Sequence, residues 1–235
     1  MPPELADTLS REDVAAILAG PPEDAVAWLR DQAERGVVEA QALYGQVLLD
    51  GRGVAPDHAA AFDWFLKAAH TGHAMACNMV GRCYENGRGR QASPRAAADW
   101  YRRAAGLGLD WGMYNLANLL TLGSGVTEAK AEALALYRQA AALGHAKSLN
   151  IIGGFYEDGW VVEKDLDRAR DYYRRASESG DFRGHFNLGR CLVAEGHVDS
   201  ARALFRCARQ GSPDAFVAKM MAWLEERHLT LDDAP

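Results

Sequence analysis

Residues 74–108 read AMACNMVGRCYENGRGRQASPRAAADWYRRAAGLG, and this stretch decides the fold. Its pattern of small, aromatic and glycine positions returns every 36 residues along the chain, so that Trp100 is preceded by Trp64 and Trp28. Glycine recurs at the same interval, at Gly36, Gly72, Gly108, Gly144 and Gly180. A fixed period of this length indicates one small structural unit repeated in tandem, as in a solenoid.

Each repeat is predicted to contain two helices. Residues 38–50 are rich in Ala, Leu and Gln and contain no Pro, which favours a helix. The glycine pair Gly51 and Gly53 ends that helix, because glycine accepts the left-handed conformation found past a helix end. Asp57 is placed to cap the second helix, and Ser93 has the same place one repeat later.

Residues at the same position of successive repeats are called a column below. The Trp100 column stays large, with Leu136 and Tyr172 in the later repeats, and we expect it to fill the space between repeats. On that basis the substitution Trp100→Ala should cost roughly 3–5 kcal/mol. The predicted fold is all-α, a right-handed α-solenoid superhelix of helix-turn-helix repeats with about twelve helices, two per repeat.

The pattern A-x4-G-x2-Y/L-x2-G-x-G-x3-D/S-x3-A-x2-W-x3-A-x3-G resembles the Sel-1-like repeat, a relative of the tetratricopeptide repeat. In residues 74–108 it is carried by Ala76, Gly81, Tyr84, Gly87, Gly89, Ser93, Ala97, Trp100, Ala104 and Gly108. Four full copies match, named here repeats 1 to 4: residues 38–72, 74–108, 110–144 and 146–180. The resemblance implies a protein whose role is to hold other proteins.

Both ends of the chain depart from the repeat, as terminal repeats of solenoids must in order to cover an apolar face. A short helix at Ser10–Ala19 and a second at Glu23–Arg35 are expected to form the N-terminal cap. A fifth repeat, residues 184–211 (repeat 5), lacks about four residues of its inter-helix loop. The predicted N-terminal cap, repeats, C-terminal capping helix and frayed tail occupy, in that order, residues 1–36, 37–211, 212–228 and 229–235.

The composition and the charge indicate which kinds of partner and which cellular compartment to expect. A net charge of −6 and a pI near 5.7 argue against nucleic acid, which favours a strongly basic face. No stretch has the apolar length of a membrane span, and the first residues lack the basic start and apolar run of a signal peptide. We therefore expect a cytoplasmic protein that binds neither membrane nor nucleic acid.

The cysteines support the same compartment. There are four of them: Cys77, Cys83, Cys191 and Cys207. The cysteine-rich bacterial branch of the family that this chain resembles pairs a cysteine at the Cys77 position with one eight residues earlier. Here that earlier position is Ala69, so free, partly buried thiols are expected.

A metal site and a nucleotide site are both disfavoured. His70, His73 and Cys77 have a spacing that suggests a metal, but Gly72 breaks the helix between the two histidines. His145 repeats the His73 position, which indicates a structural role at a helix start. The Gly-x-Gly pairs lie between two helices and follow no strand, which disfavours a phosphate-binding loop. No metal and no cofactor are predicted.

No catalytic residue is predicted either. Cys83 has no base with an orienting third group placed near it in the pattern. Glu157 and Asp158 could suggest carboxylate catalysis, but a solvated helix end explains them better. The cysteine-rich branch is linked to β-lactam binding and hydrolysis, so such an enzyme is the alternative function, although the chain has no Ser-x-x-Lys motif.

With no catalytic or metal site predicted, the protein surface is where we expect a functional site. In the tetratricopeptide superhelix, which these repeats resemble, the first helix of each repeat lines the concave face. Three columns of those helices vary in chemistry while the core columns keep their size. The candidate partner-binding residues taken from them are Asn78, Arg82, Trp111, Tyr114, Asn118, Lys147, Asn150, Arg183, Phe186 and Arg190.

These residues predict a non-catalytic scaffold or adaptor that binds a protein or an extended peptide in the concave groove. Trp111 and Tyr114 are three residues apart and so share a helix face, where aromatic side chains can anchor a partner. Asparagines can bond both backbone groups of an extended strand, and Lys147, Arg183 and Arg190 suit an acidic residue or a C-terminal carboxylate. The alternative is a solvated groove whose two aromatics are half-covered by neighbouring helices.

Overall fold

The computed structural model describes residues 21–231, and this part of the chain forms twelve α-helices and no strand. The helices are α1 (Pro22–Glu34), α2 (Val38–Asp50), α3 (His58–His70), α4 (Ala74–Asn86), α5 (Pro94–Gly106), α6 (Asp110–Leu122), α7 (Lys130–Ala142), α8 (Ala146–Asp158), α9 (Leu166–Glu178), α10 (Phe182–Ala194), α11 (Val198–Arg209) and α12 (Asp214–Glu225). The predicted all-α fold of helix-turn-helix repeats is confirmed. The helix expected at Ser10–Ala19 lies outside the described residues.

The helices belong to two compact units. The N-terminal unit extends to Gly112 and also includes residues 124–127, and the C-terminal unit consists of residues 113–123 and the chain from Glu128 onward. In the N-terminal unit, α1 packs on α2, α2 on α3, α3 on α4 and α4 on α5. In the C-terminal unit, the same succession runs from α7 to α11, and the first helices α8 and α10 also contact each other.

The predicted helix ends are confirmed. Asp57 accepts a hydrogen bond from the backbone N of Ala60 at 2.9 Å, and Ser93 Oγ accepts one from the backbone N of Ala96 at 3.3 Å. These bonds satisfy N–H groups that the first turn of a helix leaves unpaired. At the other end, Gly51 closes α2 with φ of 70°, in the left-handed region that glycine reaches without steric cost.

A column of aromatic residues on the second helices forms the centre of each repeat. Its members are almost fully buried: Phe65, Tyr101, Tyr137, Tyr173 and Phe205. Each ring lies against the backbone of the first helix, where the facing residue is small. A Cβ added at Gly81 would stand 2.5 Å from the ring of Tyr101, and one at Gly153 would stand 2.5 Å from the ring of Tyr173. A small residue in this column is therefore needed for the two helices of a repeat to pack; it is glycine in four repeats and Ala117 in repeat 3.

The tryptophan column does not have the place that the sequence predicts. Trp64 and Trp100 are only partly buried and lie at the edge of the core. Trp100 does contact the preceding repeat, since its ring centroid is 5.9 Å from that of His70, but its outer side faces the guanidinium of Arg103 at 4.6 Å. The residue that follows each tryptophan, Phe65 or Tyr101, fills the core instead.

The loops of repeats 1 to 3 pack on the second helix that precedes each of them. The second glycine of the loop lies against the start of the previous second helix: Gly53 against Pro22 of α1, and Gly89 against His58 of α3. A Cβ at Gly53 would stand 2.8 Å from the Pro22 backbone, so the contact of repeat 1 leaves no room for a side chain. Repeat 4 has Val161 at this position, also in the left-handed region at φ 52°.

The last helix covers the end of the C-terminal unit. On α12, Phe216 and Trp223 contact the ring of Phe186, at 5.7 and 5.5 Å between centroids. Leu231 is buried in the same cluster, and its carbonyl oxygen accepts a hydrogen bond from Arg206. The part of the predicted frayed tail from Leu229 to Leu231 is thus packed, which the sequence did not predict, because the turn at His228 returns the chain to the cluster. The rest of the tail lies outside the described residues.

Candidate functional site

The ten candidate residues divide between the two units. Helix α6 crosses the boundary after Gly112. Three of the candidates belong to the N-terminal unit: Asn78, Arg82 and Trp111. The other seven belong to the C-terminal unit: Tyr114, Asn118, Lys147, Asn150, Arg183, Phe186 and Arg190.

The N-terminal unit presents two of its three candidates to solvent. Trp111 is 38% exposed, which is unusual for so large an apolar ring. Arg82 is exposed on α4, with its guanidinium 3.6 Å from the sulfur of Met79. Asn78 is only 3% exposed and belongs to the interior of the unit. Asn78 is therefore a structural residue rather than a surface for a partner.

In the C-terminal unit, hydrogen bonds connect the first helices α8 and α10. Asn187 Nδ2 donates to Asn150 Oδ1 at 2.8 Å. Arg190 donates from Nη1 to Asn187 Oδ1 at 2.9 Å and from Nη2 to Glu157 Oε1 at 2.7 Å. The Tyr173 hydroxyl completes the network by donating to Glu157 Oε2 at 2.5 Å. Asn150 and Arg190 thus hold adjacent repeats together.

Tyr114 and Asn118 are also engaged within the protein. The hydroxyl of Tyr137 donates to Asn118 Oδ1 at 2.6 Å. The ring of Tyr114 is 5.9 Å from that of Tyr137 and 4.6 Å from that of His145, measured between centroids. Tyr114 is therefore half-covered by its neighbours, as the solvated-groove alternative expects, and its removal would loosen the packing of repeat 3.

The side chain of Phe186 is also engaged in contacts within the protein. Its ring contacts Phe205, Phe216 and Trp223, so α12 covers it. The sequence placed Phe186 on the open face because its column belongs to the first helices. The capping helix α12 closes that face after repeat 5.

Lys147 and Arg183 form a basic edge on α8 and α10. They occupy the same column on two first helices that contact each other. Both lie close enough to Asp181 to act on it: burial raises the pKa of Asp181, and the charges of Arg183 and Lys147 oppose that rise. Arg183 is exposed, and its guanidinium stands 4.5 Å from the ring centroid of Phe182. Among the C-terminal candidates, Arg183 is the one that is exposed, and Lys147 in the same column is partly buried.

Two residues of this region were missed by the sequence analysis: Asn187 and Glu157. Glu157 was interpreted as part of a solvated helix end, which is correct for the exposed Asp158 but wrong for Glu157, because Tyr173 and Arg190 both bond it. The sequence did contain a signal for this role. Glu85 stands in the same column as Glu157, and it accepts a hydrogen bond from the Tyr101 hydroxyl at 2.6 Å. In both repeats the glutamate stands 16 residues before the buried tyrosine, and this spacing marks the bond.

The histidines near Cys77 have structural roles. His73 Nδ1 accepts a hydrogen bond from the backbone N of Ala76 at 3.0 Å, and His73 Nε2 lies 3.0 Å from Glu39 Oε2. The thiol of Cys77 lies 3.7 Å from the carbonyl oxygen of Ala69, the position that holds a cysteine in the cysteine-rich branch. Among residues 21–231, no group of three or more His, Cys, Asp or Glu side chains is placed to hold a metal ion.

Burial makes three of the four thiols, those of Cys77, Cys83 and Cys191, poorly suited to nucleophilic chemistry. Burial raises the pKa of Cys83 to about 11, so that its thiolate is scarce near neutral pH. Burial also raises the pKa values of Cys77 and Cys191. Over the described range, no helix combines the length and the apolar character needed to cross a bilayer.

Comparison with known proteins agrees with this architecture. The family model described as Sel1 repeat matches residues 38–73, 74–109, 112–145 and 146–181. The structure of a Sel1 repeat protein from Oxalobacter formigenes is 25% identical, with a TM-score of 0.84 over 95% of this chain and 93% of that one. No curated protein sequence matches the chain.

Two further structures are similar. The protein c5321, a protective antigen of uropathogenic Escherichia coli strains with an SLR fold, is 28% identical with a TM-score of 0.71. That match covers 87% of this chain but only 45% of the antigen. The immunity protein Pa5087 from Pseudomonas aeruginosa shares the fold at 21% identity, with a TM-score of 0.54 over 95% of this chain and 84% of that one.

Proteins built from Sel1 repeats are commonly non-catalytic scaffolds that mediate protein interactions. The four matched segments cover more than half of the chain and coincide with the helix pairs α2–α3, α4–α5, α6–α7 and α8–α9. The buried aromatic column and the facing small column recur in the same register. The chain therefore belongs to the Sel1 repeat family.

Proposed function

We propose that this protein is a non-catalytic scaffold that binds a protein or an extended peptide on the first-helix face of its C-terminal unit. The observation that carries the proposal is the basic edge formed by Lys147 and Arg183. The two cations stand in one column on helices α8 and α10, which contact each other. An acidic side chain or a C-terminal carboxylate on the partner is the chemistry that this edge favours.

The hydrogen bonds of the neighbouring residues support this choice. Asn118, Asn150 and Arg190 already bond other side chains of the protein. Breaking those bonds to hold a partner would leave buried polar groups unpaired, which costs more than a new surface contact returns. Recognition is thus expected to rely on the cationic edge, with the bonded network keeping α8 and α10 in a fixed arrangement.

A charge reversal tests the proposal. Partners are captured from a lysate of the source cells with the wild type and identified, and their affinities are then measured. The double variant Lys147→Glu/Arg183→Glu should weaken binding of an identified partner by roughly tenfold or more, with a strong dependence on salt. The matched control is Arg174→Glu/Arg175→Glu, which reverses two exposed charges on the second helix α9. Equal binding by wild type and Lys147→Glu/Arg183→Glu would overturn the assignment of this face.

Trp111 provides an independent test in the N-terminal unit. Because Trp111 is exposed, Trp111→Ala should leave the helical circular dichroism unchanged and weaken any partner that uses it as an anchor. Tyr114→Ala is less informative, because Tyr114 packs on Tyr137 and His145 and its loss affects folding.

The enzymatic alternative is tested directly. We expect no turnover of nitrocefin above the buffer rate at neutral pH. Turnover that is sensitive to a substitution such as Cys83→Ala would show that the non-catalytic assignment is wrong.

A further inference from the structure

Repeat 5 differs from the others in its inter-helix loop. In repeats 1 to 3, the second glycine of the loop covers the first turn of the preceding second helix, as Gly53, Gly89 and Gly125 do at α1, α3 and α5. In repeat 5 only Glu195, Gly196 and His197 connect α10 to α11. This connection is too short to include the loop that would cover the first turn of α9.

A cavity lies at that place. It has a volume of about 400 Å³ and lies between the first half of α9, the end of α10 and the end of α12. Its apolar wall is formed by Leu166, Ala169, Ala194 and Trp223. Leu166, the first residue of α9, is 60% exposed. Space that protein backbone fills in repeats 1 to 3 is thus open here.

The charges around the cavity are nearly all paired within it. Glu157 bonds Arg190, and Arg170 pairs with both Asp167 and Glu195. The remaining cation is Arg227, which stacks on the Trp223 ring at 4.1 Å and whose acidic partner is the adjacent, solvent-exposed Glu226. An acidic group entering the cavity would meet Arg227 without disturbing the other pairs.

We propose that this cavity binds a glycine-containing turn of a partner polypeptide, with an acidic side chain beside the glycine paired to Arg227. The turn would take the place that the missing loop leaves open against the first turn of α9. Glycine is favoured for the same reason as in repeats 1 to 3, where the loop comes close to helix backbone. A Cβ at Gly53 would stand 2.8 Å from backbone atoms of Pro22, and Gly89 and Gly125 are closer still to the helices they cover. The proposal rests on the proposed function as a polypeptide-binding scaffold, and adds to it a second subsite.

The test uses two synthetic heptapeptides, Gly-Asp-Gly-Asp-Gln-Ala-Ser and its counterpart with alanine at both glycines. Binding to the full chain is followed by the indole N–H signal of Trp223 in two-dimensional NMR, assigned with Trp223→Phe. The glycine peptide should move this signal, and the alanine peptide should bind roughly fivefold or more weakly. Arg227→Ala should lower affinity for the glycine peptide by roughly fivefold.

A loop-restoring variant gives the decisive comparison. Glu195–His197 is replaced by the loop sequence of repeat 2, Gly-Arg-Gly-Arg-Gln-Ala-Ser, which should fill the cavity and abolish peptide binding. The matched control has alanine for the second glycine, so that its loop cannot seat and binding persists. No movement of the Trp223 signal up to about 10 mM peptide, or equal binding by the loop-restored variant, would overturn the proposal.

Separate outcomes would contradict the first-helix binding face and the cavity subsite. Lys147→Glu/Arg183→Glu should leave peptide binding in the cavity unchanged, because neither residue lines it. Peptide binding that persists while the charge reversal has no effect on a partner would remove only the first-helix face. Loss of peptide binding on that charge reversal would contradict the cavity as an independent subsite.

Discussion

At Gly81, a missing side chain lets α4 and α5 approach each other. The ring of Tyr101 occupies the space where a Cβ would stand, 2.5 Å from the ring carbon. Tyr101 is fully buried and bonded to Glu85, so it cannot move aside without losing that bond. The contact is made between the backbone of α4 and the ring, and a Cβ at Gly81 would overlap the ring as it now stands.

We therefore predict that Gly81→Ala lowers the free energy of unfolding by about 1–3 kcal/mol, as expected for an overpacked core. Urea denaturation followed by circular dichroism measures the change. Gly106→Ala is the matched control, because Gly106 is helical and a Cβ there would meet no atom within 4 Å. The control should be neutral or slightly stabilising. Equal stability of Gly81→Ala and wild type would show that the Tyr101 ring can shift.

Val161 is a β-branched residue at φ 52°, and it is 55% exposed. The left-handed region costs a β-branched residue roughly 1–2 kcal/mol, and glycine has no such cost. Part of the gain is offset because glycine has more freedom in the unfolded chain. Val161→Gly should thus raise the free energy of unfolding by about 0.5–1 kcal/mol. Val162→Gly, one residue later, has no positive φ to relieve and should not stabilise; a gain there as well would refute the strain.

At the scale of the element, the second helix of each repeat presents two adjacent aromatic residues, of which the later one is buried. In α5, Tyr101 lies in the core while Trp100 lies at its edge between Arg103 and His70. The sequence could not separate them, because both columns recur every 36 residues and both are large. Only the rotation of the helix about its axis decides which one faces the first helix.

This arrangement changes the expected cost of Trp100→Ala. Because Trp100 is only partly buried, the loss of unfolding free energy should be about 1–2 kcal/mol rather than the value for a fully buried tryptophan. Tyr101→Ala should cost roughly 3–5 kcal/mol. Thermal and urea unfolding of the two variants measures both. If Trp100→Ala proves the more damaging of the two, the assignment of core and edge is wrong.

On the scale of the whole molecule, three buried tyrosines make stability depend on alkaline pH. Burial raises the pKa of Tyr137 to about 12. It also raises the pKa values of Tyr101 and Tyr173, whose bonds to Glu85 and Glu157 add to the effect. The folded state therefore keeps these protons at pH values where the unfolded chain, with a tyrosine pKa of about 10, releases them.

The direction of the pH dependence follows from the folded state binding more protons than the unfolded chain above pH 10. Stability should be fully present below pH 10 and should fall as the pH rises from about 10 to 12, by about 2–3 kcal/mol for Tyr137. Urea unfolding at several pH values, with tyrosinate absorbance near 295 nm, measures this loss. Tyr137→Phe should lose less stability than the wild type between pH 9 and 11. Parallel losses in the two proteins would contradict a raised pKa at Tyr137.

The fold could be predicted from the sequence almost completely, whereas the candidate site could not. Local sequence patterns predict the helix bounds, the caps at Asp57 and Ser93 and the register of the repeats. The same patterns recur every 36 residues, so each repeat supports the prediction for the others. The exposure of a first-helix residue depends instead on its partners in a neighbouring repeat or capping helix. Arg190 meets Glu157 and Phe186 meets α12 across distances along the chain that no local pattern encodes.

Most helix contacts in each unit join helices that are consecutive along the chain, and contacts such as α8 with α10 and α10 with α12 skip a single helix. Proteins with contacts of such short sequence separation fold in microseconds to milliseconds, because little loop entropy is lost before contacts form. A ribosome adds roughly 5–20 residues per second, so each repeat takes seconds to emerge. A nascent chain of this protein can therefore complete each helix pair on the preceding one before the next repeat is synthesised.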